Sequence, residues 1–409
     1  MFFKNLISKH GLIRNTIQPH SDKVLQLNVR QLQTDLKSKI ISKIKATGPI
    51  TIFEYMQEAL NTPRYGYYSS HPNIGARGDF VTSPEVSQVF GELVGVWLVS
   101  EWIKQGRPKE AQIVELGPGN GTLTDDIIRV ISQLKVHSQF GCINLIETSQ
   151  LLTKVQYNRL CKTENTNKPD LCIQSGFTGN GIPLFWYSSV KDMPQAPSYF
   201  VANEFFDALP IHQFVRTEGK WKEIMIDRED NDLRFIAPKY NTTSLAVYSH
   251  LFKNSTFEKV EINPLSIAIT EHISRYLKDS QVGSCIFVDY GDVESRNFTL
   301  RGFKKHKEWH VLLDPGTADL TADVNFGSLK DIANKYVTVY GPVTQNIFLH
   351  RMGIRERIAT LLKNSVNKAQ KNIHIKSYEY LTSKKYMGER FKVLALTPFD
   401  KEIPYGFGS

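Results

Sequence analysis

Apolar residues along the chain follow two rhythms. Leu32, Leu36, Ile40 and Ile44 recur at every fourth position, which predicts an amphipathic helix over 29–46, stopped by Gly48-Pro49. Thr51 with Glu54 three residues on is a capping box, and it opens a short helix carrying Phe53, Met56 and Leu60 that ends at Pro63. Tyr65–Tyr68 reads as a loop. Ser83, a natural N-cap before Pro84, predicts a helix from Pro84 to about Lys104 with Val86, Val89, Phe90, Leu93, Trp97 and Leu98 on its apolar side. The second rhythm is the short continuous apolar run of a buried strand: Ile113–Leu116, Ile143–Ile146, Ser198–Ala202, Ser284–Val288, then Tyr336–Tyr340 and Phe391–Leu396. Helical stretches fall between these strands, one with Ile127, Ile128, Ile131 and Leu134, one opened by Pro264 and one from about Phe326. Residues 211–262 break the alternation. Ile211–Val215 and Trp221–Ile226 flank Glu218-Gly219, a hairpin signal, so this stretch reads as a β-rich insertion in which 240–257 is left unassigned.

Polar residues at the ends of the apolar runs carry the candidate chemistry. Glu115 and Leu116 lead into Gly117-Pro118-Gly119-Asn120-Gly121-Thr122, a glycine turn before a helix. Glycine lets such a turn bend sharply and brings backbone N–H groups close to a ligand. A dinucleotide fingerprint needs a glycine at the sixth position, where this chain has Thr122. Glycines at every second position behind an acid are instead the arrangement of S-adenosylmethionine (SAM) methyltransferases. A plain strand-to-helix connection is the third reading of the same stretch. Glu147 ends the next strand, where an acid accepts ribose hydroxyls or simply meets solvent. Asn203-Glu204-Phe205-Phe206-Asp207 follows a buried strand and reads as an active-site edge. There Asn203 lines the transfer site, and Glu204 and Asp207 hold a cationic substrate, although capping a turn is an alternative for Asp207. Asp79, a loop acid, either orients a ligand or closes a turn, and Glu85 also serves the first turn of its helix.

Composition narrows the classes. The 409 residues are 41% hydrophobic and 11% aromatic, as in a folded globular protein. No run approaches the roughly 18 apolar residues of a membrane span. Cys142, Cys161, Cys172 and Cys285 are widely spaced, which argues against a zinc site or a disulfide framework. His306 and His310 have no third ligand nearby, so no metal is expected. The net charge is +9, spread out and without an aromatic-basic motif, so no nucleic-acid partner is expected. The first 21 residues carry Lys4, Lys9 and Arg14, no acid, and Phe3, Leu6, Ile13 and Ile17 on one helical face. That is the pattern of a mitochondrial targeting segment, assigned to 1–22.

Seven blocks together resemble one family, the mitochondrial complex I assembly-factor (MidA-type) family of protein arginine methyltransferases. They are Gly78-Asp79-Phe80 with Thr82–Glu85 and Phe90–Glu92; Val114–Gly119 with Thr122-Leu123; Ala202–Pro210; Asp289–Gly291; Asp319–Val324 with Phe326; Gly341–Gln345; and Met387–Val393. They run in order through nearly the whole chain beyond residue 50. The chain departs from the family at Glu147-Thr148-Ser149-Gln150, where members tend to have Glu-Val-Ser-Pro, and at Asn120, where many carry arginine.

The resemblance implies a class I SAM-dependent methyltransferase fold, Rossmann-like, with a mostly parallel seven-stranded sheet, N-terminal helices and inserted helical and β lid elements. It implies a helical region over 23–110 forming part of the lid, a SAM-binding core over 111–300 holding the 211–262 insertion, and a substrate-side insertion with completion of the core over 301–409. It implies symmetric dimethylation of an arginine on a matrix-arm subunit of respiratory complex I, in the mitochondrial matrix. The expected cofactor residues are Glu115, Gly117, Pro118, Gly119, Asn120, Gly121, Thr122, Glu147 and Asn203. Glu204 and Asp207 are the expected catalytic pair, and Asp79, Thr82, Glu85 and Asp323 the expected substrate contacts. Two other functions fit the same residues: a non-catalytic assembly chaperone on this scaffold, and a methyltransferase of a small molecule or RNA.

Overall fold

Seven strands frame the molecule: β1 (Ala111–Leu116), β2 (Phe140–Ile146), β3 (Pro183–Tyr187), β4 (Ser198–Asn203), β5 (Gly283–Asp292), β6 (Thr338–Thr344) and β7 (Phe391–Thr397). The computed structural model describes residues 36–70, 81–294 and 297–408, so the targeting segment 1–22 and Asp79 lie outside the described residues. The spatial order is β6-β7-β5-β4-β1-β2-β3. Neighbours from β5 to β3 pair parallel, and β7 runs antiparallel to β5 and to β6. This is the expected mostly parallel sheet of seven strands. It is widened beyond β3 by Gln174–Phe177 and Thr163–Glu164, and beside the end of β5 by Val324–Asn325.

Successive side chains of a strand point to opposite faces, and both faces here are covered. Ile113, Tyr199, Ile286 and Val393 pack on one side, against α3 (Gln88–Lys104) and α4 (Thr122–Gln133). Their neighbours Val114, Phe200, Phe287 and Leu394 pack on the other, against α6 (Pro264–Ser280) and α7 (Phe326–Ala333). Every residue of β1 and β4 is therefore buried, the polar Gln112, Glu115, Ser198 and Asn203 included, which is why apolar residues fall on both faces rather than alternating. A third cluster joins α1 (36–47) and α2 (Ile52–Asn61) to the inserted strands through Leu36, Ile40, Ile52, Tyr55, Ile211 and Ile226.

The insertion is a five-stranded sheet of Ile50–Thr51, Lys220–Glu229, His212–Thr217, Lys259–Ile262 and Asp232–Ile236. Its hairpin turns at Glu218 and Gly219, both left-handed (φ 52° and 73°), as a two-residue turn between twisted strands requires. A smaller sheet joins Arg301–Lys304, Lys307–Trp309 and Asp319–Thr321, so His306 sits in the turn between two of its strands.

Several local expectations are corrected. The single helix from Pro84 is two pieces: a turn at Ser83–Val86, then α3, with extended Ser87 between them as the true N-cap, its Oγ accepting from the Val89 N–H at 3.2 Å. Ser83 is not a cap; its N–H is committed to Glu204. Tyr67–Ser70 forms a helical turn rather than a loop, and the unassigned stretch contains a short helix at Thr243–Tyr248. The capping box at Thr51 and Glu54 is present as predicted, and Pro264 opens α6 with Asn263 as its cap.

Candidate active site

The glycine turn takes the left-handed backbone at each glycine: φ is 64° at Gly117, 52° at Gly119 and 73° at Gly121. The reason differs by position. A Cβ on Gly117 would stand 2.6 Å from the Phe205 ring, and one on Gly121 would stand 3.3 Å from Leu160 on α5 (Gln150–Leu160). A Cβ on Gly119 would meet nothing within 4 Å. Gly119 faces a cavity of about 390 Å³, within the range of small-molecule sites. Gly121 does not line that cavity; it caps α4 and packs against Leu160 of α5.

The cavity lies at the carboxyl ends of β1 to β4, where open α/β sheets bind ligands. Glu115, Gly117, Pro118, Gly119, Asn120, Thr122, Glu147, Asn203, Glu204, Thr82 and Glu85 all line it. Asp207 and Asp323 do not. Asp323 lies apart, accepting from Arg301 at 2.6 Å and sitting 3.5 Å from Arg390. Asp207 is buried behind the loop, with Tyr290 and Arg301 drawing its pKa down while burial, the larger influence, pushes it up to about 6. Of the expected pair, Glu204 lines the cavity and Asp207 stands behind it, near enough for its charge to act on Glu204.

Each acid at the cavity has a built environment. Glu115 is buried, accepts from the Thr124 hydroxyl, and is pushed up to about 7 by desolvation. Glu147 accepts from the Ser149 N–H at 2.8 Å and from Gln156 Nε2 at 2.9 Å, with burial raising its pKa against those bonds. Asn120 donates to Glu85 at 2.8 Å and so ties the glycine turn to the opposite rim.

Glu204 is half-buried and left-handed, with φ 51°. Its Oε1 accepts from the Ser83 N–H at 2.7 Å and from Asn203 Nδ2 at 3.2 Å. Burial pushes its pKa up to about 8, with the charge of Asp207 adding to the rise. Asn203 keeps a buried Oδ1 with no hydrogen-bond partner among the described residues.

Sequence reasoning missed Gln156. It is wholly buried on α5 and donates to Gly119 O at 2.8 Å as well as to Glu147, while its Oε1 accepts from Trp186 Nε1 at 2.8 Å. One amide thus locks the glycine turn to the acid at the end of β2. Its partners come from three separate segments, so no local pattern marks it. Gln156→Leu leaves buried groups unpartnered at about 1–3 kcal/mol each, and a roughly tenfold loss of SAM affinity is expected by calorimetry; an unchanged affinity would remove Gln156 from the site. Tyr68, Gln57 and Asn61 from the N-terminal segment and Ser188–Val190 after β3 also line the cavity unannounced.

Among the described residues no cluster of side chains fit for a metal occurs, the four cysteines are free, and no helix is long and apolar enough to cross a membrane.

Comparison with known proteins accounts for this geometry. Residues 93–343 match the family described as "Putative S-adenosyl-L-methionine-dependent methyltransferase". "Protein arginine methyltransferase NDUFAF7, mitochondrial" of Xenopus tropicalis is 41% identical over 371 residues, covering 89% of this chain and 86% of that protein. The protein of the same name from Homo sapiens is 40% identical over 377 residues, covering 90% and 84%. A Burkholderia thailandensis protein solved with S-adenosyl-homocysteine shares the fold, at 20% identity and a TM-score of 0.74, over 97% of this chain and 96% of that one. The chain belongs to the family of S-adenosyl-L-methionine-dependent methyltransferases that includes the mitochondrial NDUFAF7 proteins.

Proposed function

We propose that this protein methylates an arginine guanidinium of another protein, with Glu204 as the acid that orients the acceptor nitrogen and receives its proton. The observation that carries the reading is the placement of Glu204. Its left-handed backbone sets a carboxylate at the wall of the cavity that the glycine turn also lines, with one oxygen anchored from two sides.

The residues present fit SAM. Gly119 leaves space where any side chain would stand, Glu147 offers ribose hydroxyls an acceptor, and Asn203 holds a buried oxygen in want of a donor. SAM, when bound, supplies a methyl group on a positively charged sulfonium. Glu204 then does the work on the acceptor side. Its carboxylate takes charge-assisted hydrogen bonds from the guanidinium, fixes one nitrogen for attack, and takes the proton released as that nitrogen becomes methylated. The raised proton affinity of Glu204 suits the last step. Asp207 acts through its charge, from behind the loop. Thr82 and Glu85 at the cavity wall are positioned to meet the substrate, with Asp79 beside them in sequence. Asp323, already paired with arginines of its own chain, holds the substrate-side sheet instead.

Mitochondrial relatives and the family blocks extend the proposal: the substrate is a matrix-arm subunit of complex I, its arginine is dimethylated symmetrically, and the reaction takes place in the matrix during assembly. The regions 23–110 and 211–262 supply part of the lid, a role supported by the cavity-lining Gln57 and Asn61 of α2 and by the packing of α2 on the inserted sheet. Mass spectrometry of complex I subunits from cells with and without this protein tests the reading. Dimethylarginine on one matrix-arm subunit is expected to disappear with the protein, and its persistence would overturn the assignment.

A further inference from the structure

The loop after β4 must hold a glutamate in left-handed backbone, and its peptide N–H groups must be satisfied while it does so. Four consecutive groups are satisfied by two consecutive residues of β5. The Glu204 N–H donates to Val288 O at 2.8 Å. The N–H groups of Phe205, Phe206 and Asp207 donate to a single oxygen, Oδ2 of Asp289, at 3.2, 3.0 and 3.4 Å. The other oxygen of Asp289 accepts from the Tyr290 N–H at 2.9 Å. Asp289 has no exposed surface and does not line the cavity. From the far side Asn263 Nδ2 donates to the carbonyls of Phe206 and Leu209, at 3.2 Å each.

Backbone N–H groups converging in this way form a nest for a carboxylate oxygen, and they work against burial and the charges of Asp207 and Glu204, which push the Asp289 pKa well up. β4 and β5 are adjacent and parallel, with Asn203 opposite Val288, so the register of the sheet delivers the Asp289 carboxylate into that nest. An asparagine there could keep its oxygen for the three donors only by turning its amide nitrogen, itself a donor, onto the Tyr290 N–H that the second carboxylate oxygen now accepts.

We propose that Asp289 is a positioning residue of the methyl transfer: its carboxylate gathers the N–H groups of residues 205–207, and this fixes the backbone that aims Glu204 at the cavity. Asp289 touches neither cofactor nor substrate and acts through Glu204, so the proposal rests on the reading of Glu204 given above.

The test uses the full chain with D289N, D289E and E204Q in parallel. D289E keeps the charge but displaces the oxygens by a methylene. Calorimetry gives the SAM Kd, and kcat and KM are measured with purified complex I matrix-arm subunits as acceptor. Both Asp289 variants are expected to lose about 10- to 100-fold in kcat, the scale of an ångström-level misplacement, while SAM Kd and acceptor KM move less than about threefold. A general loss of structure would not give that split. Wild-type kcat in the Asp289 variants, or loss of SAM binding in step with kcat, would overturn the proposal; should one variant fail to fold, the other decides. E204Q separates the two readings. If E204Q keeps full activity, the role of Glu204 fails. If E204Q is inactive while D289N and D289E are fully active, the positioning role alone fails.

Discussion

Gly119→Val is expected to abolish SAM binding while leaving most of the fold in place. Two effects act together. Valine is β-branched, and a φ of 52° is an outlier for such a residue, so the turn itself resists the substitution. The added carbons also have nowhere to go but the cavity, since a Cβ at this position meets no protein atom within 4 Å. The side chain therefore collides with the ligand and not with the core. A loss of more than about 100-fold in affinity, or about 2.7 kcal/mol, is expected by calorimetry. Gly117→Val should behave differently, because its Cβ would strike Phe205 at 2.6 Å and disturb the loop that carries Glu204. That variant should lose stability along with binding. If Gly119→Val bound SAM normally, the cofactor would not lie against this turn.

The sequence was legible where local rules and tertiary demands agree. β1 and β4 could be read because helices cover both faces of the sheet and leave no polar alternation. The capping box at Thr51 and the turn at Glu218-Gly219 are short-range signals, and the fold keeps both. The misreadings arise where a distant partner wins. Ser83 has every local mark of a helix cap, yet its N–H is spent on Glu204, far along the chain, and Ser87 caps α3 in its place. The different placing of Glu204 and Asp207, three residues apart, was equally illegible. The left-handed backbone at Glu204 and the pull of Asp289 on the following N–H groups leave one acid at the cavity and the other behind it. A positive φ at glutamate has no signature in composition or periodicity. Gln156 escaped notice, and Asp289 was noted as part of a block but given no role, for a related reason: each satisfies several buried groups contributed by other segments, and nothing in its own neighbourhood announces that.

Glu204→Gln is expected to bind SAM with near wild-type affinity and to lose methyl transfer by about 10²–10⁴-fold, the range for removing a positioned base. Glutamine keeps an oxygen that can accept from Ser83 and Asn203, so the loop should hold its shape. It cannot take the proton. The pH dependence gives an independent check. Burial and the nearby charge of Asp207 put Glu204 at about 8 in the free enzyme, so at lower pH it is protonated and cannot serve as acceptor. Wild-type kcat/KM should therefore rise with pH through about 8, whereas kcat should level off at lower pH, because a bound guanidinium favours the ionised carboxylate. The stability sign follows from the same shift. The folded protein holds this proton more tightly than the unfolded chain, whose glutamate titrates near its ordinary 4.5. The contribution of Glu204 to stability is thus full below about 4.5 and is lost as pH rises toward 8. Glutamine has no such proton to lose. Glu204→Gln should unfold at a higher temperature than wild type above pH 8 and show little advantage near pH 5. An inactive, SAM-binding variant with that pH-dependent gain is the signature of a strained acid kept for chemistry. Full methyl transfer by Glu204→Gln would remove Glu204 from the mechanism.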